Sequence, residues 1–414
     1  MKEKKLQQET KKIIGKGRKA LRYGVNIFVY TFVGIFMLLM IFFGVSQTSF
    51  FKSWLRDTVV EIVNNEIKGK LSIGEIEGTI FTSLIIKNTT LSTLENDTIV
   101  TAGKIELRTS PLKILFKNIY VRKFELKDAR IKLIEEEDGQ LNLIKMFPSS
   151  DEPEDTSSSE FPFTIEVADL ALTNVDLSIQ RFDKIGSTEY YPNINTTDLR
   201  INDLNLSLNA FADLNKYNYR LTINNFSFAP NFNVFQLKSF SGTFLLTPNL
   251  AGVNKFRMET DESEIEINAA ISGLDFLNNF STQALAEAPF RVTLDAKKFN
   301  FADISTFVPA MEMLNGSIQA QLEASGTMND LQIKNLDIVY NNTKIFGKAN
   351  LTDLLDSEKM SFDVSLNDSY LDPSDPNKLL AEIELPEYKE LGMVKFDTLS
   401  YNGGPTNFNA KFAL

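Results

Sequence analysis

Two hydrophobic periods divide the chain. In residues 48–68, Phe51, Trp54, Leu55, Val59, Ile62, Val63 and Ile67 recur every three or four positions, with Lys52, Arg56, Asp57, Glu61 and Asn65 on the other side. That spacing predicts an amphipathic helix, and Gly69 supplies its stop signal. Its polar face is too weakly basic for a helix that lies on a bilayer. The expected role is to cap the first sheet through Phe51, Trp54, Leu55, Val59 and Ile62.

Beyond Lys70 the period drops to two and stays there, which predicts a body made mostly of antiparallel β-strands. The runs expected to be strands are 71–76, 84–91, 99–107, 114–126, 131–133, 165–172, 177–179, 199–208, 219–228 and 240–246. They continue at 265–271, 291–294, 316–324, 331–340, 344–350, 361–366 and 407–414, with short helices expected near 274–280 and 302–314. Counted as about twenty strands at ~4.8 Å, they would form a sheet roughly 100 Å long.

A repeat underlies the strands. IYVRKFELKDARIKL (119–133) and IEVADLALTNVDLSI (165–179) match at an offset of 46 residues, apolar on apolar. Within the first copy the apolar positions change parity twice, from Val121 to Phe124 and from Leu126 to Ile131. A slip of one residue turns every later side chain to the other face unless a bulge absorbs it, so bends are expected near Arg122–Lys123 and Asp128–Ala129. Repeated bends curve a sheet in one direction. Its long apolar face must then either fold onto a second sheet as a dry sandwich or curl into a trough that stays apolar inside. Periodicity alone leaves both open.

Before the helix, Tyr23–Val45 holds 23 residues without a formal charge, about 34 Å of helix at ~1.5 Å per residue and enough to span a bilayer. The run exceeds the usual ~7–15 residue core of a signal peptide and no small-x-small cleavage site follows, so a retained anchor is expected. Residues 1–22 carry nine basic and two acidic side chains, a net of +7, against 34 basic and 52 acidic in the remainder. The positive-inside rule places that segment in the cytoplasm and the body across the membrane. The expected divisions are 1–22 basic cytoplasmic segment, 23–45 span, 46–70 capping helix and 71–147 first β segment. Residues 148–160, PSSDEPEDTSSSE, then form a solvated acidic loop, and 161–414 continue the sheet.

The chain has no Cys and no His, which removes disulfides, thiolate metal sites, cysteine nucleophiles and the commonest general base. Its acidic body argues against nucleic acid as a partner. Glu135–Asp138 and the acids of 151–155 read as solvated loop charge, since no phosphate-binding Gly loop or nucleophile elbow accompanies them. No enzyme activity, metal or cofactor is expected.

In order along the chain stand the basic head and span, then SFFKSWLRDTVVEIVNNEIKGKLSIGEIEGTIFTSLIIKNTTL (49–91), FELKDARIKLIEEEDGQLNLIKMF (124–147) and LNGSIQAQLEASGTMNDLQIKNLDIVYNNTKIFGKANLTD (314–353). This order resembles the AsmA-like family, in particular the amino-terminal part of TamB-type proteins. The resemblance implies an inner-membrane, single-pass protein with its bulk in the periplasm and a taco-shaped β-groove, as in chorein-type bridge-like lipid transfer proteins. It selects the trough over the sandwich and implies phospholipid acyl chains as cargo between inner and outer membranes. It also implies an outer-membrane BamA-type barrel as partner through a carboxy-terminal region not found here. The expected groove lining is Val167, Leu170, Leu172, Leu199, Ile201, Leu204, Leu206, Ile223, Phe226 and Phe228. The alternative is an envelope scaffold or assembly factor for outer-membrane proteins that conducts no lipid. Because NFNAKFAL (407–414) would end the chain on an unprotected apolar edge, a longer parent protein is expected.

Overall fold

The computed structural model describes residues 29–38, 40–79, 83–136, 138–147, 163–181, 198–231, 236–275, 281–305, 311–380 and 392–413. The basic segment, the start of the apolar run and the acidic loop lie outside them. An apolar helix, α1 (Val29–Ser46), is long and apolar enough to cross a membrane. A tight turn leads to α2 (Ser49–Glu66), whose cap is Thr48. Its hydroxyl accepts a hydrogen bond from the Phe51 N–H at 3.2 Å, filling one of the helix's free donors.

The rest is one open sheet of 17 strands. They are β1 (Lys70–Thr79), β2 (Ser83–Ser92), β3 (Thr98–Thr109), β4 (Asn118–Ile134), β5 (Thr164–Gln180), β6 (Asp198–Asp213), β7 (Asn218–Pro230), β8 (Leu237–Thr247) and β9 (Leu250–Glu259). They continue as β10 (Glu264–Ser272), β11 (Phe290–Asn300), β12 (Ser317–Gly326), β13 (Asp330–Tyr340), β14 (Thr343–Thr352), β15 (Ser361–Leu371), β16 (Val394–Gly403) and β17 (Phe408–Ala413). Every strand pairs with its neighbour in sequence, and every pair but one is antiparallel. Sixteen spacings of ~4.8 Å give a sheet of about 75 Å, shorter than the strand count read from sequence suggested.

The exception explains the repeat. β4 and β5 are parallel and in register at the repeat offset, Ile119 beside Ile165, Phe124 beside Leu170, Leu133 beside Ile179. The two copies are thus adjacent strands running the same way. Both inferred bends are present. Lys123 and Val121 face Arg108 and Thr109, which leaves Arg122 as an extra residue. Asp128 has φ 52°.

The second bend belongs to a row. Asn88 in β2, Asp128 in β4, Asn174 in β5, Asp203 in β6, Lys255 in β9 and Asp368 in β15 all have φ between 45° and 53°. Five of the six are Asn or Asp, which tolerate the left-handed region best after glycine. Several of the amides so displaced find side-chain acceptors on the next strand. Asn174 N–H donates to Asn205 Oδ1 at 3.0 Å, Asp203 N–H to Asp176 Oδ1 at 3.3 Å and Lys255 N–H to Asn268 Oδ1 at 2.7 Å. Asn174 Nδ2 also donates to Asp128 Oδ1 at 2.7 Å, tying two bulges together. Opposite the row, Gly74 and Gly103 leave only 3.0 and 3.1 Å between an added Cβ and the Cβ atoms of Asn88 and Asp128. The bulges crease each strand, and the crease crosses the strands in line.

Three predicted details are corrected. Residues 114–116 belong not to a strand but to a 3-10 turn, η1 (Pro111–Phe116), which Pro111 opens and Lys117 closes at φ 56°. β9 and β16 escaped the sequence reading because Asn254–Lys255 and Asp397–Thr398 break their alternation in the middle. The helix expected over 302–314 is described only as Phe301–Ser305, and 276–280 of the other lie outside the described residues.

Candidate functional site: an open apolar trough

The crease sorts the two faces of the sheet. On one side of it Ala102, Ala129 and Val175 are buried and pack with Ile105, Leu126, Ile131, Leu172 and Leu204. One residue away, Asp128 and Asn174 are exposed. The apolar face is therefore the concave one, with small side chains along its floor. Farther along, Ala296, Ala320, Ala324 and Ala349 repeat the pattern at 3–7 % exposure, Ala296 paired with Ala320.

The ten expected lining residues all fall on this face. Leu170 stands beside Leu208, Leu172 beside Leu206, Leu177 beside Ile201 and Ile179 beside Leu199. Leu206 continues to Phe226, and Leu208 to Ile223. All ten are half-buried, Val167, Leu204 and Phe228 included. A sandwich core would bury such side chains almost completely, and an isolated flat sheet would leave them bare. The ten stop short of the burial that a closed sandwich core would give them.

The lining extends beyond what was expected from sequence. Phe226 contacts Phe228 at 5.3 Å and Phe240 at 6.3 Å between ring centroids, and Phe240 in turn contacts Phe256 at 5.0 Å. Farther along, Ala210, Leu221, Phe244, Val253, Ala269 and Val292 line a hollow of about 720 Å³. Phe240, Phe244 and Leu246 alternate within a run already legible as a strand, and carrying the face across it would have found them. Phe256 sits in the strand that was missed.

At the first edge, α2 lies along β1. Asn64 Oδ1 accepts from the Leu71 N–H at 2.6 Å and its Nδ2 donates to the Leu71 carbonyl at 3.3 Å, while Arg56 Nη1 donates to the Gly74 carbonyl at 3.3 Å. Phe51, Leu55 and Val59 are half-buried, whereas Trp54 and Ile62 are exposed at 53 % and 57 %. Phe51 packs on Phe42 of α1 at 6.0 Å and on Trp54 at 5.4 Å between ring centroids.

The convex face is polar, and Glu106, deeply buried there, is fully paired. Glu106, with a side chain 2 % exposed, accepts from Lys104 Nζ at 2.7 Å, Arg108 Nε at 2.5 Å, Ser83 Oγ at 3.1 Å and Lys123 Nζ at 3.4 Å. Burial pushes its carboxyl up, but the bonds from Lys104, Arg108 and Ser83 and the charge on Lys123 hold it down at about 2. Of the acids in 135–138, Glu136 and Asp138 pair with Lys145, and Glu135 with Arg181. Among the described residues no group of acids could hold a metal ion. The acids of 151–155 lie outside them.

Comparison with family models, with curated proteins and with solved structures finds no match.

Proposed function

We propose that the protein is a membrane-anchored lipid carrier of the AsmA/TamB-like kind, which holds phospholipid by its acyl chains in the trough between inner and outer membranes. The observation that carries this reading is the half-buried apolar face that runs from β5 through β6 and β7 to the aromatic rings of β8 and β9, in a chain with a candidate membrane span. An uncovered apolar surface of that extent is far larger than soluble monomers tolerate, and a mobile apolar cargo would cover it. Each methylene removed from water contributes about 0.8 kcal/mol, so two acyl chains are held firmly while the head group stays in water. Dispersion and hydrophobic contacts have no direction, so a chain can move along the trough without leaving one fixed site. The basic head before α1 would stay cytoplasmic and the sheet periplasmic, with an outer-membrane barrel as a further partner.

The test is site-specific photocrosslinking in cells. A crosslinker at Leu204 or Phe226 should capture phospholipid, and one at Lys127 on the convex face should not. Capture at Lys127 alone, or capture only of outer-membrane proteins, would replace the carrier with a tethered scaffold.

A further inference from the structure

The turn η1 carries an apolar surface that the sheet does not use. Leu112, Leu115 and Phe116 are 75 %, 75 % and 82 % exposed, and Ile114 is 54 % exposed. The turn sits instead against α1. Phe36, Met40 and Phe43 of the helix, with Thr109–Lys113 and Arg122, line one hollow of about 660 Å³.

That neighbour fixes a depth. Met40 and Phe43 precede the end of α1 at Ser46 by six and three residues, ~9 Å and ~5 Å at ~1.5 Å per residue. Interfacial apolar segments bury to about 5–10 Å. The tip is also flanked by cations. Lys113 lies 3.2 Å over the Tyr120 ring, and Lys117 and Arg122 are exposed. An apolar tip with a basic collar matches the acyl boundary below and anionic head groups above.

We propose that Pro111–Phe116 is a second, non-spanning membrane contact, which dips into the leaflet from which α1 emerges and binds an anionic phospholipid surface. This rests on the reading of α1 as a span. Two contacts, unlike one, set the tilt of the sheet, and they bring the first strands of the trough to the level of the acyl chains.

The chain lacks Cys, so single-site labelling is clean. Phe36→Cys, Leu115→Cys and Leu94→Cys, each carrying an environment-sensitive fluorophore, would be compared in the full chain in vesicles of phosphatidylethanolamine and phosphatidylglycerol. Leu94 is exposed in the turn at the opposite end of β3 and serves as the aqueous control. The expected result is quenching of the Leu115 probe by a shallow lipid-borne quencher and of the Leu94 probe by iodide alone. Paired Lys117→Glu and Arg122→Glu substitutions should reduce the lipid quenching at Leu115 at least twofold. A Phe36 probe in lipid with a Leu115 probe in water would overturn the second contact and leave the span intact. A Phe36 probe in water would overturn the span and the contact together. Quenching unchanged by the charge reversals would overturn the anionic surface as the partner.

Discussion

Substituting Glu at two positions on the same face separates an open trough from a sealed core. Leu206 is half-buried between Leu172 and Phe226, while Val175 is 2 % exposed on the crease floor between Ala129 and Leu204. Fully burying a leucine side chain stabilises a fold by roughly 1.5–3 kcal/mol, so a half-buried one contributes about 1 kcal/mol. In a trough open along its length, the Leu206→Glu carboxylate reaches solvent by displacing mobile cargo, and only that contribution is lost. At the floor, Val175→Glu places a carboxylate in a cluster of apolar side chains, Ala102, Ala129 and Leu204 among them. An uncompensated buried charge costs about 3–5 kcal/mol. At ~2.1 cal/mol/K of unfolding entropy per residue, a chain of 414 residues loses about 1 °C per kcal/mol, so Leu206→Glu should lower the melting temperature by about 1 °C and Val175→Glu by about 3–6 °C. The assay is far-UV circular dichroism of the full chain in lipid nanodiscs during heating. If Leu206→Glu unfolds the protein as severely as Val175→Glu, the face is sealed and the reasoning is wrong.

Other consequences are equally direct. The Glu106 carboxyl is held at about 2 in the folded chain against an ordinary value of 4.5. Its contribution is therefore complete above pH ~4.5 and is lost as the pH falls toward 2, about 3 kcal/mol in all at ~1.4 kcal/mol per unit. Glu106→Gln should reduce the difference in stability between about pH 5 and about pH 2.5 by about 2 kcal/mol, as read by urea unfolding at each pH. An unchanged acid profile would show that the pairing of Glu106 is not its source. At the bulge, Asp128→Gly should cost about 1 kcal/mol, the hydrogen bond from Asn174, and Asp128→Val about 1–3 kcal/mol more, since only the second forces a branched side chain to φ 52°. Thermal melts of the two variants check this, and equal costs would contradict it. Asp375, 1 % exposed, accepts from the Asn342 N–H at 3.0 Å, the Thr343 N–H at 2.9 Å and the Thr343 hydroxyl at 2.9 Å. Asp375→Ala should cost about 3 kcal/mol by leaving those donors unsatisfied, with faster amide exchange confined to the 341–343 turn and to 375–379.

The sequence makes the fold legible wherever a strand keeps its alternation. β4 and β5 show why even their bends could be read: the parity change from Leu126 to Ile131 has no other explanation than an inserted residue, and Asp128 is that residue. β9 and β16 hid for the same physical reason, because one break of alternation in a ten-residue strand, at the Lys255 bulge in β9 and at Asp397–Thr398 in β16, leaves too few alternations on either side to recognise. The parallel pairing of the repeat copies was hidden too, since an offset of 46 residues fits a stacked array as well as adjacent strands. That the expected residues of β5 to β7 share one face was legible from parity alone. Their half-burial was not, because the depth of the trough is set by the crease, and the crease is a property of neighbouring bulges in line. The four apolar residues of η1 read as the start of a strand until Pro111 and Lys117 are seen to close a turn.

The most direct measurement is an experimental density map of the full chain purified from membranes in a mild detergent, examined along the concave face from Leu172 through Leu206 and Phe226 to Phe244. The account predicts elongated, chain-like density lying over those side chains and not assignable to protein. Protein side chains meeting across that space and excluding any other molecule would contradict it.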